Sequence, residues 1–120
     1  MKKICSLLAL LCCAFLALPA HGAFPERPVT IMVGFAAGGA GDIIAHSVAA
    51  ELEKELGQPV VIVNKGGSGG ALAIGEAMTK AKDGYTIIGT ISAALTIDTL
   101  TKKTRFSIDD FTILGMTGIY

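Results

Sequence analysis

Hydrophobic residues fall into short continuous runs separated by longer periodic stretches along residues 24–120. Three runs rich in β-branched residues, at 29–35, 60–63 and 85–89, predict strands, and residues 111–116 predict a fourth. Continuous apolar runs, unlike alternating ones, are typical of strands covered on both faces of a parallel sheet. The pattern therefore predicts buried parallel strands.

Helical periodicity fills the intervals between these runs. Residues 42–56 predict a helix whose apolar side chains recur every fourth position, at Ile44, Val48, Leu52 and Leu56. Gly57 and Pro59 supply the usual end signal. A second helix is predicted at 71–82, with Leu72, Ala73 and Ala77 inward, and a short third one at 95–102, after a loop at 90–94.

Strands and helices alternate, which predicts an α/β fold with a parallel sheet flanked by helices. Ligands of such sheets bind beyond the carboxyl ends of the strands. The loops that follow the three predicted strands, at 36–41, 64–70 and 90–94, consist mostly of small residues and meet at that edge. This edge is therefore the predicted functional site.

Residues 1–23 have the order of a secretory signal peptide. Lys2 and Lys3 precede an apolar stretch at 4–18, and Pro19 and small residues follow. The stretch is shorter than the roughly 20 residues of a membrane-spanning helix. We expect residues 1–23 to be cleaved and the rest to be exported.

Composition narrows the function further. All three cysteines lie in residues 1–23, so the remainder holds no disulfide, thiol nucleophile or cysteine zinc site. The formal net charge is zero, which argues against nucleic acid as a partner.

The loop at 36–41 offers backbone rather than reactive side chains. It leads into a helix N-terminus, where free N–H groups and the helix dipole favour a small anion. A phosphate-binding P-loop would need Lys-Ser/Thr after Gly41, and a dinucleotide motif would need glycine at Ile44; neither is present. The alternative is that the glycines only shape a tight turn.

Side chains near these loops indicate binding rather than catalysis. Asp42 fits a helix cap or first-turn acid, and His46 fits the helix surface. Thr90 and Ser92 could offer hydroxyls to a carboxylate, and Lys65 could add positive charge. The sequence shows no nucleophile–base pair and no metal-ligand cluster, so we expect no enzyme activity, no metal and no cofactor.

Several segments together resemble the substrate-binding proteins of tripartite tricarboxylate transporters, the Bug family. The segments are residues 27–42, 56–61 (LGQPVV), 64–70 (NKGGSGG), 83–88 (DGYTII) and 110–112 (DFT). The resemblance implies a monomeric periplasmic receptor with two α/β domains in the Venus flytrap arrangement. It also implies capture of a small carboxylate (a dicarboxylate, tricarboxylate or amino acid) and its delivery to membrane transporter subunits. On this basis residues 24–120 are the N-terminal part of such a receptor, and the second domain is absent.

The resemblance also carries site residues over to this chain. Ligand contacts through main-chain N–H groups are implied at Ala37, Gly38, Gly39, Ala40, Gly41 and Asp42, and further contacts at Thr90, Ser92 and Ala93. The chain departs from the family's usual pattern, which has prolines at 36 and 37, a hydroxyl residue at 41 and an arginine at 46. Two alternatives remain: an exported α/β enzyme that handles a nucleotide or phosphate, and an inert truncated product.

Overall fold

The computed structural model describes residues 24–101 and 104–117, so the predicted signal peptide lies outside the described residues. Its centre is a three-stranded parallel sheet in the order β2-β1-β3, formed by Val29–Val33 (β1), Val60–Asn64 (β2) and Thr86–Gly89 (β3). Ile31 of β1 is in register with Ile62 and with Ile87. The predicted α/β class with a parallel sheet is confirmed.

Among the described residues, three helices cover the two faces of this sheet: Ala40–Leu56 (α1), Ala71–Ala77 (α2) and Ser92–Thr101 (α3). Short 3₁₀ turns occupy Ser68–Gly70 and Ile108–Asp110. Successive side chains of a strand point to opposite faces. Accordingly, Ile31 packs in one apolar cluster with α1, whereas Ile88 packs in a second cluster with α2 and α3.

Helix α1 begins two residues before the predicted start, with Gly39 as its N-cap. Its deepest apolar side chains are Ala45 and Ala49, and the predicted stripe beside them, including Leu52 and Leu56, is only partly buried. Both alanines pack in one cluster with Val29, Ile31 and Val33 of β1. The helix ends as predicted at Gly57, whose left-handed backbone lets its N–H donate to the Glu53 carbonyl at 3.0 Å.

Helix α2 is shorter than predicted. It ends at Ala77 because tight turns replace the helical pattern there: the N–H and the hydroxyl of Thr79 both bond the Glu76 carbonyl. The prediction that Leu72 points inward is wrong, since its side chain is 58% exposed. Ile74 is fully buried instead and forms the centre of the second cluster.

Three further predictions need correction. Helix α3 begins at Ser92 rather than at 95, because Ala93 and Ala94, both good helix formers, extend it into the predicted loop. Residues 112–117 form no strand in the described structure; no sheet edge pairs with them, and Ile113 and Leu114 are exposed. Strand β2 is also less buried than its apolar run suggested, with Val61 47% exposed at the sheet edge.

Of the helices that the described residues form, none is long and apolar enough to cross a membrane.

Candidate functional site

An open cleft of about 670 Å³ lies at the carboxyl ends of β1 and β2. The loops that follow these two strands form its walls. The lining residues are Gly34, Phe35, Ala36, Ala37, Asn64, Gly66, Gly67, Gly69 and Gly70. No ionisable side chain belongs to this lining, so the cleft presents mainly backbone and small apolar groups.

The first loop folds into a tight turn before α1. The Gly39 N–H donates to the Ala36 carbonyl at 3.3 Å, and Gly38 adopts a positive φ of 80°. Glycine at the third position is what a type II turn requires. Within the described residues, the N–H groups of Ala36, Ala37, Ala40 and Gly41 have no protein acceptor. Unpaired donors therefore concentrate in this turn and at the start of α1, next to the cleft.

Asp42 stabilises this turn through hydrogen bonds of its side chain. The residue is only 6% exposed; Oδ2 accepts the Gly38 N–H at 2.8 Å, and Oδ1 accepts the Asn64 amide at 2.8 Å. The same amide also donates to the Phe35 carbonyl at 3.4 Å. Asp42 is therefore a first-turn acid, and the N–H group that it binds belongs to the loop rather than to the helix.

These contacts keep Asp42 ionised. The Gly38 N–H, followed by the Asn64 amide, lowers the pKa of the Asp42 carboxyl below its ordinary value, outweighing desolvation, which would raise it. The His46 ring, 65% exposed and one helical turn away with Nε2 3.6 Å from Oδ1, adds a smaller lowering. A carboxylate in the first turn of a helix is also favoured by the helix dipole.

The lowered pKa predicts a contribution to stability that acid removes. Because the folded-state pKa lies below the unfolded value, Asp42 stabilises the fold above about pH 4, and this contribution is lost as the pH falls through the lowered folded-state pKa. We expect Asp42→Asn to flatten the acid limb of the free energy of unfolding. Urea unfolding at several acidic pH values measures it; an unchanged slope would contradict the assignment.

The third loop lies behind the cleft rather than along it. Thr90 places its Oγ1 against Gly34 and Gly70, where the oxygen is buried and has no hydrogen-bond partner among the described residues. Ser92 is exposed and Ala93 is half-buried in the first turn of α3. The structure thus brings these three predicted site residues to the same sheet edge, and their contact with a ligand stays a prediction.

Other predicted residues have structural partners. Lys65 points its Nζ to Glu76 at 3.1 Å, so its charge is paired. Of the predicted loop, Ala37 lines the cleft, whereas Gly38 to Asp42 lie beside it. The glycines of the second loop also line the cleft, although they were not among the predicted site residues. Their density in the NKGGSGG segment was the available signal.

The glycine at position 41 has a packing explanation. A Cβ there would lie 2.4 Å from Cδ2 of Phe35. The Phe35 ring thus occupies the space that a side chain at position 41 would need. The family that the sequence resembles usually has a hydroxyl residue at this position.

Metal binding finds no support in this geometry. Nowhere in residues 24–101 and 104–117 do three His, Cys, Asp or Glu side chains come together as metal ligands would.

Comparison with known proteins gives a match over more than half of the chain. The sequence profile described as "Tripartite tricarboxylate transporter family receptor" matches residues 44–118. Among curated proteins, a UPF0065 protein from the TAR-I ttuE-ttuC' intergenic region of Agrobacterium vitis is 39% identical over 101 residues, covering 81% of this chain and 28% of that protein. Protein BugT of Bordetella pertussis is 39% identical over 71 residues, or 59% of this chain and 22% of BugT.

Solved structures agree with the fold. A TctC solute binding protein from Polaromonas superposes with a TM-score of 0.66 at 27% identity, over 73% of this chain and 30% of that one. MatC from Rhodopseudomonas palustris, solved with bound malate, gives a TM-score of 0.61 at 42% identity, over 72% of this chain and 30% of MatC. A second R. palustris protein, solved with adipate, gives 0.52 at 40% identity, over 54% of this chain and 22% of that one. The chain thus spans less than a third of the length of each of these relatives.

Proposed function

The chain belongs to the tripartite tricarboxylate transporter receptor family, and on that premise we propose that it is the N-terminal part of a periplasmic receptor for a small carboxylate. The receptor captures its ligand for uptake by membrane transporter subunits and has no enzymatic role of its own. Residues 1–23 direct its export and are then removed, and residues 24–120 form part of the first of two domains.

Two solved relatives support a carboxylate ligand. MatC was solved with malate and a second R. palustris protein with adipate, both small dicarboxylates. This chain is 42% and 40% identical to them over the matched parts.

One observation carries the proposal at the site: within the described part of the chain, N–H groups without a protein acceptor cluster where an uncharged cleft meets the start of a 17-residue helix. These donors belong to Ala36, Ala37, Ala40 and Gly41. Several unpaired N–H groups close together, with the positive end of a helix dipole, favour an anion without a cationic side chain. We assign one ligand carboxylate to this group of donors.

The third loop takes a secondary part in the proposal. Ser92 and Ala93 lie at the same sheet edge, at the exposed start of α3. Thr90 has its hydroxyl covered by Gly34 and Gly70, so its contact with a ligand requires the second loop to shift.

A phosphate-handling enzyme is the competing function, because the same donors would also suit a phosphate. The lining of the described cleft contains no lysine to balance phosphate charge and no carboxylate to hold a metal. A direct comparison of ligands decides between the two functions.

Calorimetric titration of the purified protein with malate, adipate and inorganic phosphate tests the proposal. We expect saturable binding of a dicarboxylate and none of phosphate. At a ligand concentration about one hundred times Kd, the same ligand should raise the free energy of unfolding by about 2.7 kcal/mol.

1,6-Hexanediol is the matched control for adipate, since it keeps the six-carbon chain and lacks both carboxylates. It should not bind. Binding of phosphate or of a nucleotide in place of the dicarboxylates would favour the enzyme, and the absence of any binding would favour an inert product.

A further inference from the structure

We propose that Asp42 and Asn64 form a clamp that positions the glycine-rich turn for ligand binding and keeps the Gly38 N–H away from the ligand; this inference rests on the proposed function. The clamp comprises the Asp42 carboxylate, the Asn64 amide and the two main-chain groups that they bind, the Gly38 N–H and the Phe35 carbonyl. Neither side chain needs to touch the ligand. Both are positioning residues.

The clamp joins three separate elements of the site. Asp42 lies in the first turn of α1, Asn64 ends β2, and Phe35 and Gly38 flank the turn between them. Asn64 is itself held in the sheet, in register with Val33. The position of the turn is therefore fixed relative to the sheet, although the turn itself consists of small residues that constrain their own backbone weakly.

The bonds of the clamp also decide which donors are free. The main-chain nitrogen of Gly38 lies 2.8 Å from Oδ2 of Asp42, which makes this a short charge-assisted hydrogen bond. A ligand carboxylate would have to displace Asp42 to use this N–H. The neighbouring N–H groups of Ala36 and Ala37, without acceptors in the described structure, remain for the ligand. Gly38 thus contributes its positive φ to the turn rather than a donor to the ligand, in contrast to the role carried over from the family resemblance.

The same helix provides a matched control. Glu53, near the opposite end of α1, accepts the Val60 N–H with Oε1 at 2.8 Å. It makes the same kind of contact as Asp42, between a helix carboxylate and a main-chain N–H, but at the other end of β2. Glu53→Ala therefore removes a similar bond without touching the cleft.

The first measurement needs no ligand. Amide hydrogen exchange at residues 36–41 is followed by NMR in the purified protein and in Asp42→Ala, Asn64→Ala and Glu53→Ala. We expect both clamp variants to speed exchange at Gly38 and Gly39 by about tenfold or more, the scale of a lost charged hydrogen bond, and Glu53→Ala to leave it unchanged. Unchanged exchange in Asp42→Ala would overturn the clamp whatever the ligand.

The second measurement is the affinity for malate and adipate. Asp42→Ala and Asn64→Ala should weaken binding about tenfold or more, and Glu53→Ala should not. Asp42→Asn, which keeps an oxygen to accept the Gly38 N–H, should restore part of the affinity. Rescue by this variant distinguishes positioning from a general loss of stability.

The outcomes separate the two proposals. If the unaltered protein binds a dicarboxylate and Asp42→Ala binds it equally well, the clamp is wrong and the receptor function stands. Equal weakening by Glu53→Ala would likewise overturn the clamp. If the unaltered protein binds neither probe, the proposed function fails for these ligands, and the exchange measurement alone decides on the clamp.

Discussion

Gly70→Ala should be among the most destabilising single substitutions in the described domain. Gly70 has a φ of 99°, which costs a residue with a Cβ about 1–3 kcal/mol. A Cβ there would also lie 2.6 Å from the Thr90 Oγ1, and overpacking of this kind costs about 1–3 kcal/mol more. We therefore expect a loss of about 2–6 kcal/mol in the free energy of unfolding, measured by urea denaturation.

Three other glycines separate the two causes. Gly34→Ala introduces a Cβ 2.9 Å from the Gly70 Cα without a positive φ, so it should show the steric part alone. Gly57→Ala has a φ of 64° with nothing within 4 Å, so it should show the backbone part alone. Gly75→Ala has neither problem in the helix interior and should stabilise α2 by about 0.5–1 kcal/mol.

Thr90 provides the direct check on the steric explanation. Thr90→Ala removes the oxygen that the new Cβ would meet, and this oxygen has no hydrogen-bond partner in the described structure. In the Gly70→Ala background, Thr90→Ala should recover part of the lost stability, with a coupling of about 1–2 kcal/mol. Additive effects of the two substitutions would refute the contact between residues 70 and 90.

Most of the central architecture followed from local signals in the sequence. The runs at β1, β2 and β3 predicted strands within two residues of their observed bounds, because β-branched apolar runs bounded by glycine and proline have few other solutions. Gly57 marked the end of α1 to the residue, since a left-handed C-cap leaves a specific signature. These features depend on short-range chemistry alone.

Features that depend on tertiary contacts were predicted less well. Leu72 fits the inward side of a helix by hydrophobicity, but which side of so short a helix faces the sheet is set by the entry of the chain through Gly69 and Gly70. The apolar residues at 111–116 satisfy the criteria for a strand, yet a strand also forms only where the fold lays the segment beside an open sheet edge, here that of β2 or β3. Neither requirement is visible in the local sequence.

Predictions for the site also divide into those that local sequence supports and those that depend on tertiary contacts. Glycine density indicated the sheet edge at which the cleft lies, since small residues between a strand and a helix mark the carboxyl end of a parallel strand. Asp42 was interpreted as a helix acid, which its position confirms. Its bond to Asn64, 22 residues further along the chain, follows only from the pairing of β1 with β2.

Gly39→Asp should abolish most of the affinity for a dicarboxylate while leaving the domain folded. Gly39 is the N-cap of α1 and has an extended backbone (φ −80°, ψ 169°) that any residue adopts. An aspartate there caps the free N–H groups of the first turn with its own carboxylate. The ligand then loses these donors and meets an added negative charge, so we expect at least about a hundredfold weaker binding, equivalent to about 2.8 kcal/mol.

Two companion variants make this result specific to the helix terminus. Gly39→Ser also caps the helix but carries no charge, so it should weaken binding less than Gly39→Asp and should not lower stability. Ala50→Asp adds the same charge to the exposed face of α1, about 15 Å further along the helix, where salt screens its effect on the cleft. Calorimetric titration with malate and adipate, with the unfolding midpoint recorded for each variant, measures the difference. Unchanged affinity in Gly39→Asp would place the ligand carboxylate away from α1. An equal loss of affinity in Ala50→Asp would show that overall charge governs binding, and not the N–H groups at the start of the helix.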